Sequence, residues 1–233
     1  MYPRMLVRKH LNMDGLLEAE KKHDSRYVIG FDPAQGLGQD YSVIVVVRQD
    51  SDGFVHFVNM WRRNDFPPDR QADVLIDMIK RYGNAPLAAE DVGFQQLYES
   101  LLAQKGAMVD YRKSRVSNRV LKQGLMNRLR VWFEREKLIF PYGDDETRRK
   151  VNILFQELET HAWRDGIIVD LGKHNDAAMA FAHAVDQLQI PQGDVAVAMG
   201  SLSGGEWLGG SKSKGIARKG QLGIGGVIKR RYR

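Results

Sequence analysis

The chain has 233 residues, 43% of them hydrophobic, which is enough to bury one α/β core and leave a tail. It contains no cysteine, which excludes disulfides and thiolate zinc sites. It has neither an apolar stretch of membrane-spanning length nor a signal-peptide pattern, so we expect a soluble, cytosolic protein. The formal net charge of +6 favours a polyanionic partner.

Changes in composition divide the chain into three segments. They are a charged lead-in segment at 1–26, a folded domain at 27–190 and a glycine-rich basic tail at 191–233. In the lead-in segment, Leu16, Leu17 and Glu20 predict a short helix. The tail has no sustained periodicity, so we expect it to be flexible.

The folded domain begins with a predicted strand meander. Val28–Phe31 is an apolar run that suits a buried strand, and it ends at Asp32 and a turn that contains Pro33 and glycine. Val43–Arg48 and Phe54–Trp61 are further β-rich runs, joined by an acidic turn that contains glycine. The sequence therefore predicts three strands, the last two of them in a hairpin.

Helices and strands alternate in the rest of the domain. In chain order we predict a helix that opens at Pro67, a strand that ends at Glu90, a helix at 94–105, a strand at 107–111, a helix from about Ser117, a strand at 137–141, an amphipathic helix at 147–163 and a strand at 166–170. A last, alanine-rich helix begins at Asp176, after the cap-like Asn175. This order predicts an α/β fold with a mixed sheet that is flanked by helices on both faces.

Three acids stand where predicted elements end or begin. Asp32 and Glu90 each close an apolar run, and Asp176 opens the last helix. Taken singly, they have simpler interpretations as a turn residue, a strand terminus and a first-turn acid. Strand ends and a helix start can converge at one edge of a sheet, and Mg²⁺ and Mn²⁺ prefer such oxygen ligands. The set therefore predicts a metal-binding nuclease triad, for which Asp40 and Asp91 are further candidate ligands.

A second group of candidates is basic. Lys113, Arg115, Arg119 and Lys122 precede or begin the helix predicted near Ser117. Arg119 and Lys122 share one face of that helix, opposite an apolar stripe, so the basic face can follow DNA phosphates. The alternative is ordinary solvated helix charge.

The positive charge of the chain is concentrated in the tail. Residues 201–233 contain eight Lys or Arg and one acid, a net charge of +7, which leaves the first 200 residues at −1. The tail is either a solubilising terminus, an arm that contacts DNA or a docking segment for another component.

Three motifs in this order resemble the nuclease domain of the large terminase subunit of tailed bacteriophages, the motor that packages viral DNA. The motifs are Gly30-Phe-Asp32-Pro-Ala with Asp40-Tyr-Ser, then Ala89-Glu90-Asp91-Val-Gly93, then Gly172-Lys-His174-Asn-Asp176 with the alanine-rich helix. The resemblance covers about residues 27–189 and implies a ribonuclease H-like fold.

The resemblance also implies an activity. Asp32, Glu90 and Asp176 are expected to be the catalytic residues and to bind two divalent ions, Mg²⁺ or Mn²⁺, with Asp32 as the bridging ligand. Hydrolysis of the phosphodiester is expected to leave 5′-phosphate ends. His174 either shuttles a proton or orients a phosphate, or it is a solvent-facing loop residue.

In the whole protein, the resemblance implies double-stranded DNA as substrate, and an ATPase domain, the portal and the small terminase subunit as partners. The setting would be the cytoplasm of the infected bacterial cell, with no membrane contact. The nearest approach to a Walker A loop, at 205–212, lacks the required spacing, so we expect no ATP site in this chain.

The chain departs from the family pattern at two positions. Many relatives carry a second Asp where Asn175 stands, and another acid where Met179 stands.

Four other functions have sequence signatures to compare. A Holliday-junction resolvase of the same fold shares strand-end acids. A transposase or integrase usually ends its triad in Glu, whereas this triad ends in Asp176. A proofreading exonuclease wants two acids one residue apart on the first strand, and Asp32-Pro-Ala offers one. A non-catalytic DNA-binding or assembly module would retain the acids only as structural residues.

Overall fold

The structure is a computed structural model that describes residues 4–34, 38, 40–90, 93–114, 119–164 and 167–189. Residues Met1–Pro191 form one compact unit. The tail predicted at 191–233 lies outside the described residues. Among the helices that are described, none has the length and apolar character needed to cross a membrane.

The described residues form helices and strands that alternate after an initial meander. In chain order the elements are α1 (Arg4–Arg8), β1 (Leu11–Asn12), β2 (Arg26–Asp32), β3 (Ser42–Gln49), β4 (Val55–Arg63), α2 (Pro68–Arg81), β5 (Leu87–Glu90), α3 (Gly93–Gln104), β6 (Tyr111–Ser114), α4 (Arg119–Glu134), β7 (Leu138–Pro141), α5 (Asp145–Glu159), β8 (His161–Arg164), β9 (Ile167–Asp170) and α6 (Asp176–Asp186).

Seven strands make one mixed sheet in the order β1-β7-β4-β3-β2-β5-β6. The strands β2, β3 and β4 are antiparallel neighbours, as the predicted meander requires. The strands β5 and β6 join the β2 side in parallel, and β7 joins β4 in parallel, because helices connect them. The remaining two strands, β8 and β9, form a separate antiparallel hairpin.

Helices cover both faces of the sheet, as predicted. One apolar cluster joins Val28 of β2 to buried residues of α4, α5 and α6. The other joins Ile29 and Phe31 to buried residues of α2 and α3. Successive side chains of β2 therefore point to opposite faces of the sheet, and both faces are buried under helices there.

The helix α6 packs directly on β2 at a glycine. A Cβ atom placed on Gly30 would lie 1.9 Å from the carbonyl oxygen of Ala180 and 2.9 Å from the Cβ of Ala184. Only glycine permits this approach of a helix backbone to the strand. The small residues of α6 are buried along almost its whole length for the same reason.

The lead-in segment differs from its prediction. The helix expected through Leu16, Leu17 and Glu20 is wrong; the segment there is irregular, and a short helix lies earlier, at α1. Its amides bond to the domain instead, because Leu17 N reaches Thr147 Oγ1 at 3.4 Å and the next amide reaches the carbonyl of Val58 at 3.1 Å. The strand β1 also pairs with β7, so tertiary contacts override the local helical pattern.

Two other predicted boundaries are also corrected. The strand predicted at 107–111 begins instead at Tyr111, where its ladder with β5 starts, and Met108 is 98% exposed. The helix predicted at 147–163 starts earlier, where Asp144 caps it by accepting a hydrogen bond from Thr147 N at 2.8 Å. It ends at Glu159 because the following residues pair as β8 with β9.

Candidate active site

Asp32 and Glu90 lie side by side at the ends of two parallel strands. The register pairs Phe31 of β2 with Ala89 of β5, so each acid is the next residue along its own strand. Ala88 belongs to the same apolar cluster as the α6 residues, and strand alternation puts Glu90 on that face as well. Both carboxylates are therefore directed to the α6 side of one sheet edge, and both side chains are partly buried.

Asp176 reaches the same edge from α6. The helix crosses β2 at Gly30, and Asp176 lies one turn before Ala180, toward the end of the strand that carries Asp32. One of its oxygens, Oδ2, accepts a hydrogen bond from the backbone amide of Tyr41 at 3.3 Å. Its side chain is 13% exposed.

The electrostatics of the three acids reflect this convergence. Burial raises the pKa of Asp32 well above its usual value, and the negative charges of Asp176 and Glu90 raise it further. Burial likewise raises the pKa of Glu90, whereas the positive charge of Lys122 lowers it. Burial also raises the pKa of Asp176, against the hydrogen bond from Tyr41. The edge thus concentrates negative charge that a cation would relieve.

The donor set fits a hard divalent cation in its chemistry. Carboxylate oxygens are the ligands that Mg²⁺ and Mn²⁺ prefer, and three carboxylates share this edge. The side chains do not form a ready-made cage, since no group of three His, Asp or Glu residues in the described part of the chain is arranged to hold an ion. The fit therefore rests on the type of ligand, carboxylate oxygen, and on the negative charge of the three acids at this edge.

Of the additional candidates, Asp40 and His174 belong to the described part of the chain. Asp40 is exposed, and its negative charge contributes to the raised pKa of Asp176. Asp91 lies outside the described residues. His174 is 20% exposed, with Nδ1 3.7 Å from Asp176 Oδ2 and its ring packed edge-on against Tyr41. His174 is thus a partly exposed loop residue beside Asp176, and its role stays a prediction.

Of the four basic candidates, the structure describes the side chains of Lys113 and Lys122. Lys122 on α4 is partly buried, and its charge acts on both Asp32 and Glu90. Lys113 pairs in register with Ala89, whose side chain faces α3, and its Nζ lies 3.1 Å from Glu99 Oε1. It is thus on the face of the sheet opposite to the acids. Arg115 and the side chain of Arg119 are outside the described part of the chain.

The two departures from the family pattern have different environments. Asn175 is the N-cap residue of α6, but its side chain makes no capping hydrogen bond. Met179 is buried among the apolar residues of the α6 side of the sheet. A carboxylate at the position of Met179 would be in the core, so this chain uses the position for packing.

A buried hydrogen-bond network holds Ala34, two residues after Asp32. Ser42 and Gln71 are fully buried. Ala34 donates its amide to Ser42 Oγ at 2.9 Å, and Gln71 Nε2 donates to the carbonyl of Ala34 at 3.0 Å. Gln71 Oε1 accepts from Ser42 at 2.7 Å and from the hydroxyl of Tyr98. No sequence pattern predicts these residues, since nothing local marks a glutamine in a helix as buried.

A second group that the sequence analysis missed surrounds the start of α6. Glu157 on α5 is 6% exposed and accepts hydrogen bonds from the amides of Ala177 and Ala178. The guanidinium of Arg62 lies 3.4 Å from Glu157 and stacks on the ring of Tyr41. The only local signal was an acid beside the apolar stripe of α5.

Comparison with known proteins agrees with this fold. Residues 29–188 match the family model described as the terminase RNaseH-like domain. No curated protein sequence matches the chain significantly.

Solved structures with the same fold include three phage nuclease domains. The large terminase nuclease from thermophilic phage G20c with bound magnesium is 20% identical, with a TM-score of 0.63 over 79% of this chain and 96% of that chain. The Thermus phage P74-26 large terminase nuclease domain is 21% identical, with a TM-score of 0.63 over 80% of this chain and 95% of that chain. The large terminase nuclease domain of bacteriophage SPP1 with bound Mn is 14% identical, with a TM-score of 0.56 over 77% and 97%.

The family model spans well over half of the chain. The structural neighbours have the same fold as this chain, with its mixed sheet and flanking helices. The chain therefore belongs to the terminase RNaseH-like domain family.

Proposed function

We propose that this chain is a divalent-metal-dependent endonuclease that cleaves double-stranded DNA during viral genome packaging. The observation that carries the proposal is the convergence of Asp32, Glu90 and Asp176 at one sheet edge, where burial and mutual repulsion raise the pKa of Asp32. The family membership and the metal-bound nuclease domains among the structural neighbours support it.

The three carboxylates are the residues that would hold two divalent ions, Mg²⁺ or Mn²⁺, with Asp32 between the other two. Asp40 and Asp91 are the candidates for outer support. Ions bound there supply Lewis acidity, which neutralises the charged phosphodiester and lowers the pKa of water. The contribution of the chain is to hold the carboxylates on two strand ends and a helix start, where their backbones are fixed by the sheet.

The other polar residues at the edge are suited to bind and orient the substrate. The positive charge of Lys122 acts on both Asp32 and Glu90, so it would also attract a scissile phosphate toward the acids. His174, beside Asp176 and against Tyr41, presents an imidazole that can hold a phosphate oxygen or pass a proton. Lys113 and Arg115 would contact the DNA backbone outside the cleavage site, and Arg119 would contact it from the start of α4.

The setting we propose is the cytoplasm of an infected bacterium, as part of a large terminase. There the chain would act with an ATPase domain, the portal and the small terminase subunit, and would itself have no ATP site. Those components would hold and present the DNA, so we expect the isolated chain to be a slow nuclease with little sequence preference.

The test is cleavage of supercoiled plasmid with Mg²⁺, Mn²⁺, Ca²⁺ or EDTA, by the wild type and by Asp32→Ala, Glu90→Ala and Asp176→Ala. Asp65→Ala is the matched control, because Asp65 is an exposed acid that pairs with Arg63. We expect Mn²⁺- or Mg²⁺-dependent nicking by the wild type and the control, and none by the three variants. Cleavage that persists in EDTA, or in all three variants, would contradict the proposal.

A four-way junction run beside a linear duplex separates the resolvase alternative. A strong preference for the junction would favour a resolvase. DNA binding by a folded protein without cleavage under any metal would favour a non-catalytic module.

A further inference from the structure

We infer that Glu157 is a positioning residue that fixes the start of α6 and, through it, the carboxylate of Asp176. The inference rests on the proposed function, because it assigns to Glu157 the support of one of the three proposed metal ligands. It concerns a residue that lies on a different helix and that no motif in the sequence marks.

The first observation is the capping of α6. The first amides of a helix have no partner within the helix, and a side chain at the N-cap position usually accepts from one of them. The side chain of Asn175 does not do so here. Glu157 Oε2 replaces it, with hydrogen bonds of 2.7 Å from Ala177 N and 3.0 Å from Ala178 N. These are the two residues that follow Asp176 directly.

The second observation is a route from Glu157 to Asp176 on the other side. Arg62 lies 3.4 Å from Glu157 Oε1, and its guanidinium carbon is 3.3 Å from the centroid of the Tyr41 ring. The amide of Tyr41 donates to Asp176 Oδ2 at 3.3 Å. Asp176 is therefore held by its own backbone, through Glu157, and by its carboxylate, through Tyr41 and Arg62.

Glu157 is better placed to anchor the helix than to bind an ion. Its Oε2 already accepts two amides, its Oε1 faces the guanidinium of Arg62, and its side chain is 7% exposed. A carboxylate at a helix N-terminus also interacts favourably with the helix dipole. Both carboxylate oxygens of Glu157 therefore have partners within the protein.

The test compares Glu157→Ala with Glu157→Gln in the full chain. Alanine removes the acceptor, so Ala177 and Ala178 lose their partner and Asp176 loses its fixed position. Glutamine keeps a carbonyl oxygen that can accept both amides. We expect Glu157→Ala to weaken Mn²⁺ binding, measured by the electron paramagnetic resonance of free Mn²⁺, and to lower kcat for plasmid nicking, each by about tenfold or more. We expect the KM for DNA to change little and excess Mn²⁺ to restore part of kcat. We expect Glu157→Gln, which keeps the acceptor for α6 but loses the ion pair with Arg62, to lie between wild type and Glu157→Ala.

Val151→Ala is the matched control for stability, because Val151 is buried earlier on the same helix and makes no hydrogen bond to α6 through its apolar side chain. We expect it to lower the melting temperature while it keeps kcat and Mn²⁺ affinity. The inference is overturned if Glu157→Ala keeps wild-type kcat and Mn²⁺ affinity, if Glu157→Gln loses as much as Glu157→Ala, or if Val151→Ala loses as much. Asp176→Ala separates the two hypotheses: if it cleaves like wild type, the proposed function fails, whereas if it is inactive and Glu157→Ala is not, only the positioning role fails.

Discussion

Asp32 combines two conditions that oppose ionisation, since it is partly buried and it faces two other carboxylates. Burial is the larger cause of its raised pKa, followed by the charges of Asp176 and Glu90. In the absence of a cation, the folded protein therefore holds a carboxylate under repulsion. Such repulsion favours metal binding and lowers the stability of the metal-free protein.

Replacement of Asp32 by asparagine tests that repulsion. At a pH where Asp32 is ionised, we expect Asp32→Asn to raise the free energy of unfolding of the metal-free protein by about 1 kcal/mol, because a buried negative charge is then removed. Mn²⁺ should raise the melting temperature of the wild type and leave that of the variant unchanged. Calorimetry with and without Mn²⁺ measures both effects.

The control is Asp24→Asn, because Asp24 is fully exposed. It should change neither the metal-free stability nor the response to Mn²⁺. A metal-free Asp32→Asn protein that is less stable than wild type would contradict the argument, since the carboxylate would then be stabilising the fold.

His183 shows the opposite effect of burial on a base. It is fully buried on α6, and neither ring nitrogen has a hydrogen-bond partner among the described residues. Burial lowers its pKa from 6.5 to about 4, against a smaller raising effect of Asp186. The unfolded chain therefore binds a proton at higher pH than the folded one, so stability is complete above pH 6.5 and is lost as the pH falls toward about 4.

Replacement of His183 by leucine should remove this acid sensitivity. Relative to His183→Leu, we expect the wild type to lose about 3 kcal/mol of unfolding free energy between the two pKa values. Urea unfolding at a series of pH values measures the difference. His23→Leu, at an exposed position, should follow the wild type. Parallel curves for wild type and His183→Leu would show that His183 is not the source.

The residues at the site differ in how far sequence can reveal them. Asp32, Glu90 and Asp176 are marked locally, because each stands at the end of an apolar run or the start of a helix. Glu157 is not marked, since its partners lie twenty and twenty-one residues away on another helix. Arg62 is ninety-five residues from Glu157, so only the folded chain brings them together.

At the scale of elements, the position of α6 on β2 depends on Gly30. The helix approaches so closely that a single methyl group at this position would collide with the backbone of Ala180. Backbone cannot move aside as a flexible side chain can, so either the helix or the strand would have to shift. Both Asp32 and Asp176 would move with them.

Gly30→Ala is therefore expected to destabilise the fold by about 3 kcal/mol and to abolish Mn²⁺-dependent cleavage. Chemical denaturation and plasmid nicking measure the two effects. Gly124→Ala on α4 is the control: its Cβ would meet only the end of the Arg128 side chain at 3.3 Å, and alanine favours a helix. It should be neutral or stabilising. If Gly30→Ala were as stable and active as Gly124→Ala, the close packing of α6 would be wrong.

Helices and strands with long sequence patterns are predicted correctly. The predictions fail where contacts with residues distant in sequence set the boundary of an element. The strands β2 to β4 carry continuous apolar runs, and α6 has a long run of small residues, so both are evident from sequence. The start of β6 is set by its ladder with β5, and the end of α5 by the pairing of β8 with β9. The helix predicted through Leu16 and Leu17 does not form, because backbone amides of this segment donate hydrogen bonds to Thr147 and Val58 instead.

On the scale of the whole molecule, the positive charge is distributed unevenly along the chain. Residues 192–233 contain eight Lys or Arg and two acids, a net charge of +6, which equals the charge of the entire chain. The compact unit Met1–Pro191 therefore has no net charge of its own. Nonspecific attraction to DNA should come largely from residues 192–233.

Truncation after Pro191 tests this division. We expect the shortened chain to unfold at nearly the same temperature, but to bind duplex DNA more weakly and with a shallower dependence on salt, because fewer phosphates are neutralised. Fluorescence anisotropy at several salt concentrations measures the slope. A full-length chain with Lys229, Arg230, Arg231 and Arg233 changed to glutamine should lie between the two. An unchanged slope after truncation would place the DNA contacts within the folded domain.

The most direct test of the central claim is the location of Mn²⁺ by anomalous diffraction from crystals of the chain soaked in that ion. We expect anomalous peaks within about 2.5 Å of carboxylate oxygens of Asp32, Glu90 and Asp176. The same crystals of Asp32→Asn should lose these peaks. Saturating Mn²⁺ with the three side chains ordered and no peak between them would contradict the assignment of this edge as a metal-dependent nuclease site.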